Sequence, residues 1–101
     1  MTEFSDLLDR VQSTASTHPA LGARAKLDLG AGGSIVIDGT AGANAVAAGD
    51  GAANVVLSMK PDVLAQLLDG TLDPTVGYMM GKLKVNGDMA VALKVAGVLG
   101  D

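Results

Sequence analysis

The chain has 101 residues, a net charge of −4, 49% apolar and 18% charged residues, one Phe, one Tyr and no Trp. That suits one domain over 1–101 with an aliphatic core and argues against intrinsic disorder. The acidic balance, with scattered basic residues (Arg10, Arg24, Lys26, Lys60, Lys82, Lys84, Lys94), argues against nucleic-acid binding, and the absence of Cys removes disulfides and thiolate sites.

Phe4, Leu7, Leu8, Val11 and Ala15 follow the 3.6-residue period of an amphipathic helix. Thr2 is its expected N-cap, Asp6 and Arg10 are spaced for an i,i+4 pair, and His18-Pro19 is expected to end it. Ala25, Leu27 and Leu29 alternate with Arg24, Lys26 and Asp28 as a half-buried strand. Gly30 to Gly33 turns the chain into a returning β-branched strand, Ser34 to Asp38. Residues 39–50 are Gly/Ala-rich and weakly specified, with a short edge strand expected at Asn44 to Ala47. Asp50-Gly51 reads as a turn and Asn54 to Met59 as a strand.

Pro61 suits a first helical position and Gly70 a helix end, framing the apolar stripe Val63, Leu64, Leu67 and Leu68. Asp73-Pro74 opens a short helix, Thr75 to Met80, closed by Gly81. Lys82 to Val85 alternates as a strand, Asn86-Gly87 reads as a turn, and Asp88 caps a last helix, Met89 to Leu99. The strand–helix–helix–strand order from Asn54 to Val85 predicts a right-handed crossover between parallel strands.

The polar start, Met1 to Asp6, is unlike a signal peptide, and no apolar run reaches about 18 residues. A cytoplasmic location is therefore expected. His18, the one histidine, reads as a surface or helix-capping residue. Asp69 and Asp73 flank a turn, where capping duty competes with a carboxylate-pair reading. The stretch Gly77 to Leu83 has the wrong spacing for a phosphate loop, and Leu83 stands where Ser or Thr must hold magnesium. No catalytic residue, no metal site and no cofactor is expected, so the chain is not read as an enzyme.

The last helix stands apart. Met89 to Leu99 carries one charge, Lys94, and is apolar nearly all round. Packing on a sheet covers one side. The other is open to a second subunit, a bound lipid or a membrane surface, or to nothing if Ala keeps the patch small. The methionines fill an aromatic-poor core or form pliable ligand-binding surface.

The second half also carries a set of motifs. Val56-Leu57-Ser58-Met59, Val63-Leu64, Leu67-Leu68-Asp69-Gly70, Leu72-Asp73-Pro74, Tyr78-Met79-Met80-Gly81-Lys82-Leu83-Lys84-Val85, Gly87-Asp88-Met89 and Ala92-Leu93-Lys94 follow in order. This series resembles the type-two sterol carrier protein, or non-specific lipid-transfer, family, and the high Ala and Gly content suits a small free-standing bacterial member. The first half agrees in layout only. The resemblance implies an α/β (α+β) fold: a five-stranded, mostly antiparallel sheet covered on one face by helices, with an apolar tunnel between. It implies non-catalytic binding and transfer or presentation of fatty acids, acyl-CoA esters, phospholipids or sterol-like lipids. Carried over, Leu64, Leu68, Tyr78, Met79, Leu83, Met89, Val91, Leu93 and Val95 are candidate lining residues, each also explicable as core. Lys82, Lys84 or Lys94 is a candidate headgroup partner or a solvated charge. Compared with the family, aromatics are few, and neither the C-terminal cover nor the peroxisomal address of longer members is expected. Transient membrane contact and a homodimer through the last helix follow as expectations, as does the alternative of an interaction module assisting a lipid or quinone enzyme.

Overall fold

The structure is a computed structural model that describes residues 3–100. Alternating apolar residues build a five-stranded sheet in the order β3-β2-β1-β4-β5, from β1 (Arg24–Asp28), β2 (Ser34–Asp38), β3 (Ala45–Ala48), β4 (Val55–Met59) and β5 (Leu83–Gly87). Ala25, Leu27, Ile35, Ile37, Val55 and Leu57 point to one buried face, while Lys26, Val36, Val56 and Ser58 are only partly buried. Four helices cover the buried face: α1 (Phe4–Ala15), α2 (Pro61–Asp69), α3 (Pro74–Met79) and α4 (Met89–Leu99).

The sheet is mixed. β1 pairs in parallel with β4, and the other neighbours are antiparallel. This corrects the expected crossover: β4 and β5 are antiparallel partners, with Met59 opposite Leu83. The 60–82 connection therefore leaves and re-enters at the same end of the sheet. Gly70, left-handed at φ 79°, ends α2 and lets the chain fold back through α3, so two short helices form an excursion and return. Asn86-Gly87 is likewise the end of β5 rather than a turn, with Gly87 opposite Val55. Gly87 has φ 121°, and a Cβ there would lie 2.4 Å from the Asn54 carbonyl oxygen. That close approach requires glycine.

α1 ends at Ala15, three residues before His18. Thr17 and His18 donate backbone bonds to Thr14 and Ala15, tightening the chain into i→i−3 turns. The Ser16 and Thr17 hydroxyls bond back to the Ser13 and Thr14 carbonyls, the competition that makes such residues poor helix interiors. The expected N-cap Thr2 lies outside the described residues. Glu3 occupies that position without a side-chain cap bond. Arg10 pairs with Asp69 at the end of α2 rather than with Asp6, which ties α1 to α2.

The Gly/Ala-rich segment is held by Asn44. Its side chain accepts from the Leu21 amide at 2.9 Å and donates to the Ala15 and Pro19 carbonyls at 3.1 Å. This joins the end of α1, the loop into β1 and the approach to β3.

Candidate functional site

α3 and α4 are each opened by an aspartate cap. The Asp73 carboxylate accepts from the Thr75 amide at 2.8 Å, and Pro74 presets the first helical φ. The Asp88 carboxylate accepts from the Ala90 amide at 2.9 Å and opens α4. Capping thus accounts for Asp73, and the bond to Arg10 for Asp69, so neither supports acid–base chemistry.

α3 ends abruptly. Lys82 donates its amide to the Gly77 carbonyl at 2.9 Å, and Gly81 adopts φ 78°. Gly77 is buried where an added Cβ would meet Leu72 at 3.3 Å. α3 and α4 meet where Pro74 crowds Gly100: a Cβ at Gly100 would be 2.8 Å from the proline ring. The Thr14 hydroxyl donates to the Val98 carbonyl at 3.0 Å and anchors α4 to α1 from the other side.

Between α3 and α4 this leaves a cleft of about 210 Å³. Leu57, Leu83 and Val85 from β4 and β5 line it, with Pro74, Thr75 and Tyr78 from α3 and Met89, Ala92, Leu93 and Ala96 from α4. The Thr75 hydroxyl and the Tyr78 phenol are its only polar side-chain groups. Its lining carries no carboxylate, imidazole or ammonium group and is otherwise apolar.

Of the nine residues expected to line a tunnel, the structure brings Tyr78, Leu83, Met89 and Leu93 together in this cleft. Leu64, Val91 and Val95 lie in the closed core. Leu68 is half-buried beside Arg10 and Thr14, and Met79 is 78% exposed outside the cleft. The signal missed in the sequence is small residues: Met89, Ala92, Leu93 and Ala96 share one helical stripe, and its two alanines leave space between longer side chains.

Three concavities are larger and of a different character, among them a shallow one of about 350 Å³ between Arg10, Ser13, Thr14, Thr17 and Leu68. Another, about 550 Å³, is lined by Lys60, Lys82, Lys84 and Asp62 at the start of α2. The third, about 400 Å³, runs from His18 to Leu21 against Leu93, Lys94 and Gly97. All three have more polar linings, so chemistry rather than size singles out the apolar cleft.

The perturbed ionisations lie elsewhere. Hydrogen bonds from Thr40, aided by Arg24, hold the Asp38 carboxyl below its usual 3.8. The Lys26–Asp50 hydrogen bond lowers Asp50 and raises Lys26 above 10.5. Among the described residues no group of His, Asp or Glu has the arrangement of a metal site. No described helix is long and apolar enough to cross a membrane.

The motif series implied an apolar tunnel between sheet and helices, and the structure has instead a cleft open to solvent between α3 and α4. A model of the SCP-2 sterol transfer family matches residues 4–100. The chain belongs to this family. Among solved structures similar to it, the palmitated SCP2L2 of Aedes aegypti has a TM-score of 0.77 at 17% identity, covering 100% of this chain and 96% of that one. Sterol carrier protein 2 from Yarrowia lipolytica in its apo form has a TM-score of 0.65 at 24% identity, covering 95% and 83%. At these identities the likeness shows the fold: a sterol-carrier α+β sandwich. A curated relative, hydroxysteroid dehydrogenase-like protein 2 of Bos taurus, is 46% identical over 43 residues. That is 43% of this chain and 10% of the relative, so the chain matches about a tenth of the length of that protein.

Proposed function

We propose that this protein binds the alkyl portion of a lipid in the α3–α4 cleft and carries or presents it without catalysing a reaction on it. The observation that carries this reading is the cleft's lining, in which only Thr75 and Tyr78 bear polar side-chain groups. Family membership supports lipid as the ligand class, and the absence of any acid, base or nucleophile pair in the cleft supports a carrier rather than an enzyme.

Magnitudes say how the ligand is held. At roughly 30 Å³ per small group, the cleft takes on the order of seven methylenes. At about 0.8 kcal/mol for each fully buried methylene, their burial contributes at most roughly 6 kcal/mol, because the cleft is open on one side. Micromolar affinity needs about 8 kcal/mol. A ligand held that tightly would draw the remainder from the exposed rim residues Tyr78, Met89 and Leu93, or from the cleft widening around a longer chain. A thioether such as that of Met89 adapts easily to either.

The test is a cleft-filling substitution. Ala96→Phe places a ring in the cleft. It is expected to abolish uptake of a fluorescent fatty acid while leaving the thermal midpoint unchanged or raised. Native mass spectrometry of protein prepared without detergent is expected to show an acyl adduct that the variant lacks. Uptake unaffected by Ala96→Phe would place the ligand elsewhere, and neither uptake nor adduct in the unaltered protein would end the carrier reading.

A second reading rests on the solvent face of α4. Met89, Ala90, Leu93 and Gly97 form an uncharged exposed stripe, the kind of surface a second copy covers. A homodimer through this stripe predicts a sedimentation mass that Leu93→Asp halves.

A further inference from the structure

β5 is an edge strand, with β4 on one side and no strand on the other. Hydrogen-bond parity decides which of its peptide groups are used. Asp88 donates its amide to the Asn54 carbonyl at 3.0 Å, and Gly87 stands opposite Val55. Antiparallel pairs alternate between bonded and unbonded, so Asn86 and Lys84 bond to Val56 and Ser58, while Gly87, Val85 and Leu83 fall in the unbonded pairs. A Cβ at Gly87 would lie 2.9 Å from the Val55 Cα, the narrow spacing that marks an unbonded pair. The N–H and C=O of Leu83, Val85 and Gly87 therefore face away from β4. Among the described residues no turn, loop or side-chain hydrogen bond reaches them.

These three positions differ in what covers them. Leu83 is buried where α3 packs on β5, Gly87 is exposed, and Val85 between them is half-buried. Val85 and Leu83 are also the two residues of β5 that line the α3–α4 cleft. The free edge of the sheet and the cleft thus meet at Val85. Its peptide groups stand at the margin of a wall made by Leu57, Leu83, Met89 and Leu93.

A backbone donor and acceptor in that position take water when no other partner is at hand. A bare hydrocarbon chain entering the cleft displaces that water and leaves both groups unpaired, which costs more than an ordinary hydrogen bond contributes. A ligand with an acceptor and a donor of its own avoids the loss. The complement of one edge residue is another peptide-like unit, because both present a carbonyl and an N–H side by side. An ester or an ionised carboxylate only accepts, so the Val85 carbonyl stays unmatched. The cleft lining has no ammonium group to attract an anionic head, and Asp88 beside Met89 disfavours one.

We propose that the ligand of the cleft is a lipid amide. Its alkyl chain lies between α3 and α4. Its carbonyl accepts from the Val85 N–H and its N–H donates to the Val85 C=O, in the manner of a strand added to a sheet edge. The proposal rests on the carrier reading of the same cleft and adds the headgroup that the cleft's side chains do not specify.

The experiment is displacement of a fluorescent fatty-acid probe from the unaltered protein by N-methyloctanamide, methyl octanoate and N,N-dimethyloctanamide. All three carry about seven carbons beyond the carbonyl, which matches the capacity of the cleft. Only the first both donates and accepts, and it is expected to bind roughly fivefold more tightly than either of the others. Proton–nitrogen NMR spectra locate the contact. In the free protein the Val85 amide is expected to exchange with solvent faster than the ladder amides of Lys84 and Asn86. On addition of N-methyloctanamide it is expected to shift downfield and to exchange more slowly, while those two hold steady.

Equal displacement by the amide and the ester would overturn the proposal and leave the carrier reading intact. An amide preference without a Val85 shift would place recognition elsewhere and overturn it as well. So would a Val85 amide already protected in the free protein. Failure of the fatty-acid probe itself to bind would end both readings.

Discussion

α1 covers its end of the sheet with Leu7, Val11 and Ala15, all fully buried, and turns Glu3, Asp6 and Asp9 to water. α4 buries Val91, Val95 and Leu99 on one side but turns Met89 and Leu93 outward on the other. The first helix has a polar face and closes its half of the molecule. The last has almost none, and its small Ala92 and Ala96 leave a cleft against α3. One sheet face is therefore sealed at one end and left open at the other. The difference lies in residue choice: the sealed end has the alternation that stability alone selects, and the open end departs from it where the lipid is proposed to bind.

Four substitutions separate the two ends. Leu7→Ala removes a fully buried side chain from the sealed end and is expected to cost about 2–5 kcal/mol by urea denaturation, while the folded fraction still takes up fatty-acid probe. A smaller cost that also abolished uptake would mean the ends are not independent. Asn44→Ala leaves the Leu21 amide and two carbonyls without this partner and is expected to cost about 1–3 kcal/mol, again with uptake retained. Leu93→Ser, at the open end, reverses the pattern: 71% exposed, it is expected to alter stability by less than about 0.5 kcal/mol. Its probe affinity is expected to fall roughly tenfold, equivalent to about 1.4 kcal/mol.

The smallest effect is a pH dependence confined to the sealed end. The Lys26 hydrogen bond lowers the Asp50 pKa, so its contribution is complete above 3.8 and is lost as pH falls below that value. The same bond raises Lys26, whose contribution is complete below 10.5 and is lost as pH rises beyond it. Asp50→Asn is expected to flatten both edges of the stability profile slightly and to leave probe uptake unchanged. A variant profile identical to that of the unaltered protein at both edges would show that the pair contributes nothing measurable in solution.

Most of the element order was legible because its signals are local. Alternation marked β1 and β5 and β-branched residues marked β2, while Asp73-Pro74, Asp88 and Gly70 marked helix limits by backbone chemistry that needs no distant partner. What depended on distant partners was not legible. The antiparallel pairing of β4 with β5 follows from where the 60–82 excursion returns, which no periodicity encodes. Arg10 had a carboxylate four residues away and took Asp69 instead. Asn44 looked like any residue of a Gly/Ala-rich stretch, although it joins three segments. For α4 the difficulty is intrinsic: with apolar residues on every side, no pattern separates the core-facing Val91 and Val95 from the cleft residues Met89 and Leu93.

The open end is also where the thioethers are. Met79, Met80 and Met89 face solvent, whereas Met59 is buried in the core. Peroxide therefore reaches the former group first, and each sulfoxide formed there replaces a pliable greasy contact with a polar, chiral one. Oxidative injury would alter this exposed edge long before it loosened the fold, and methionine sulfoxide reductases could reverse it without refolding the chain.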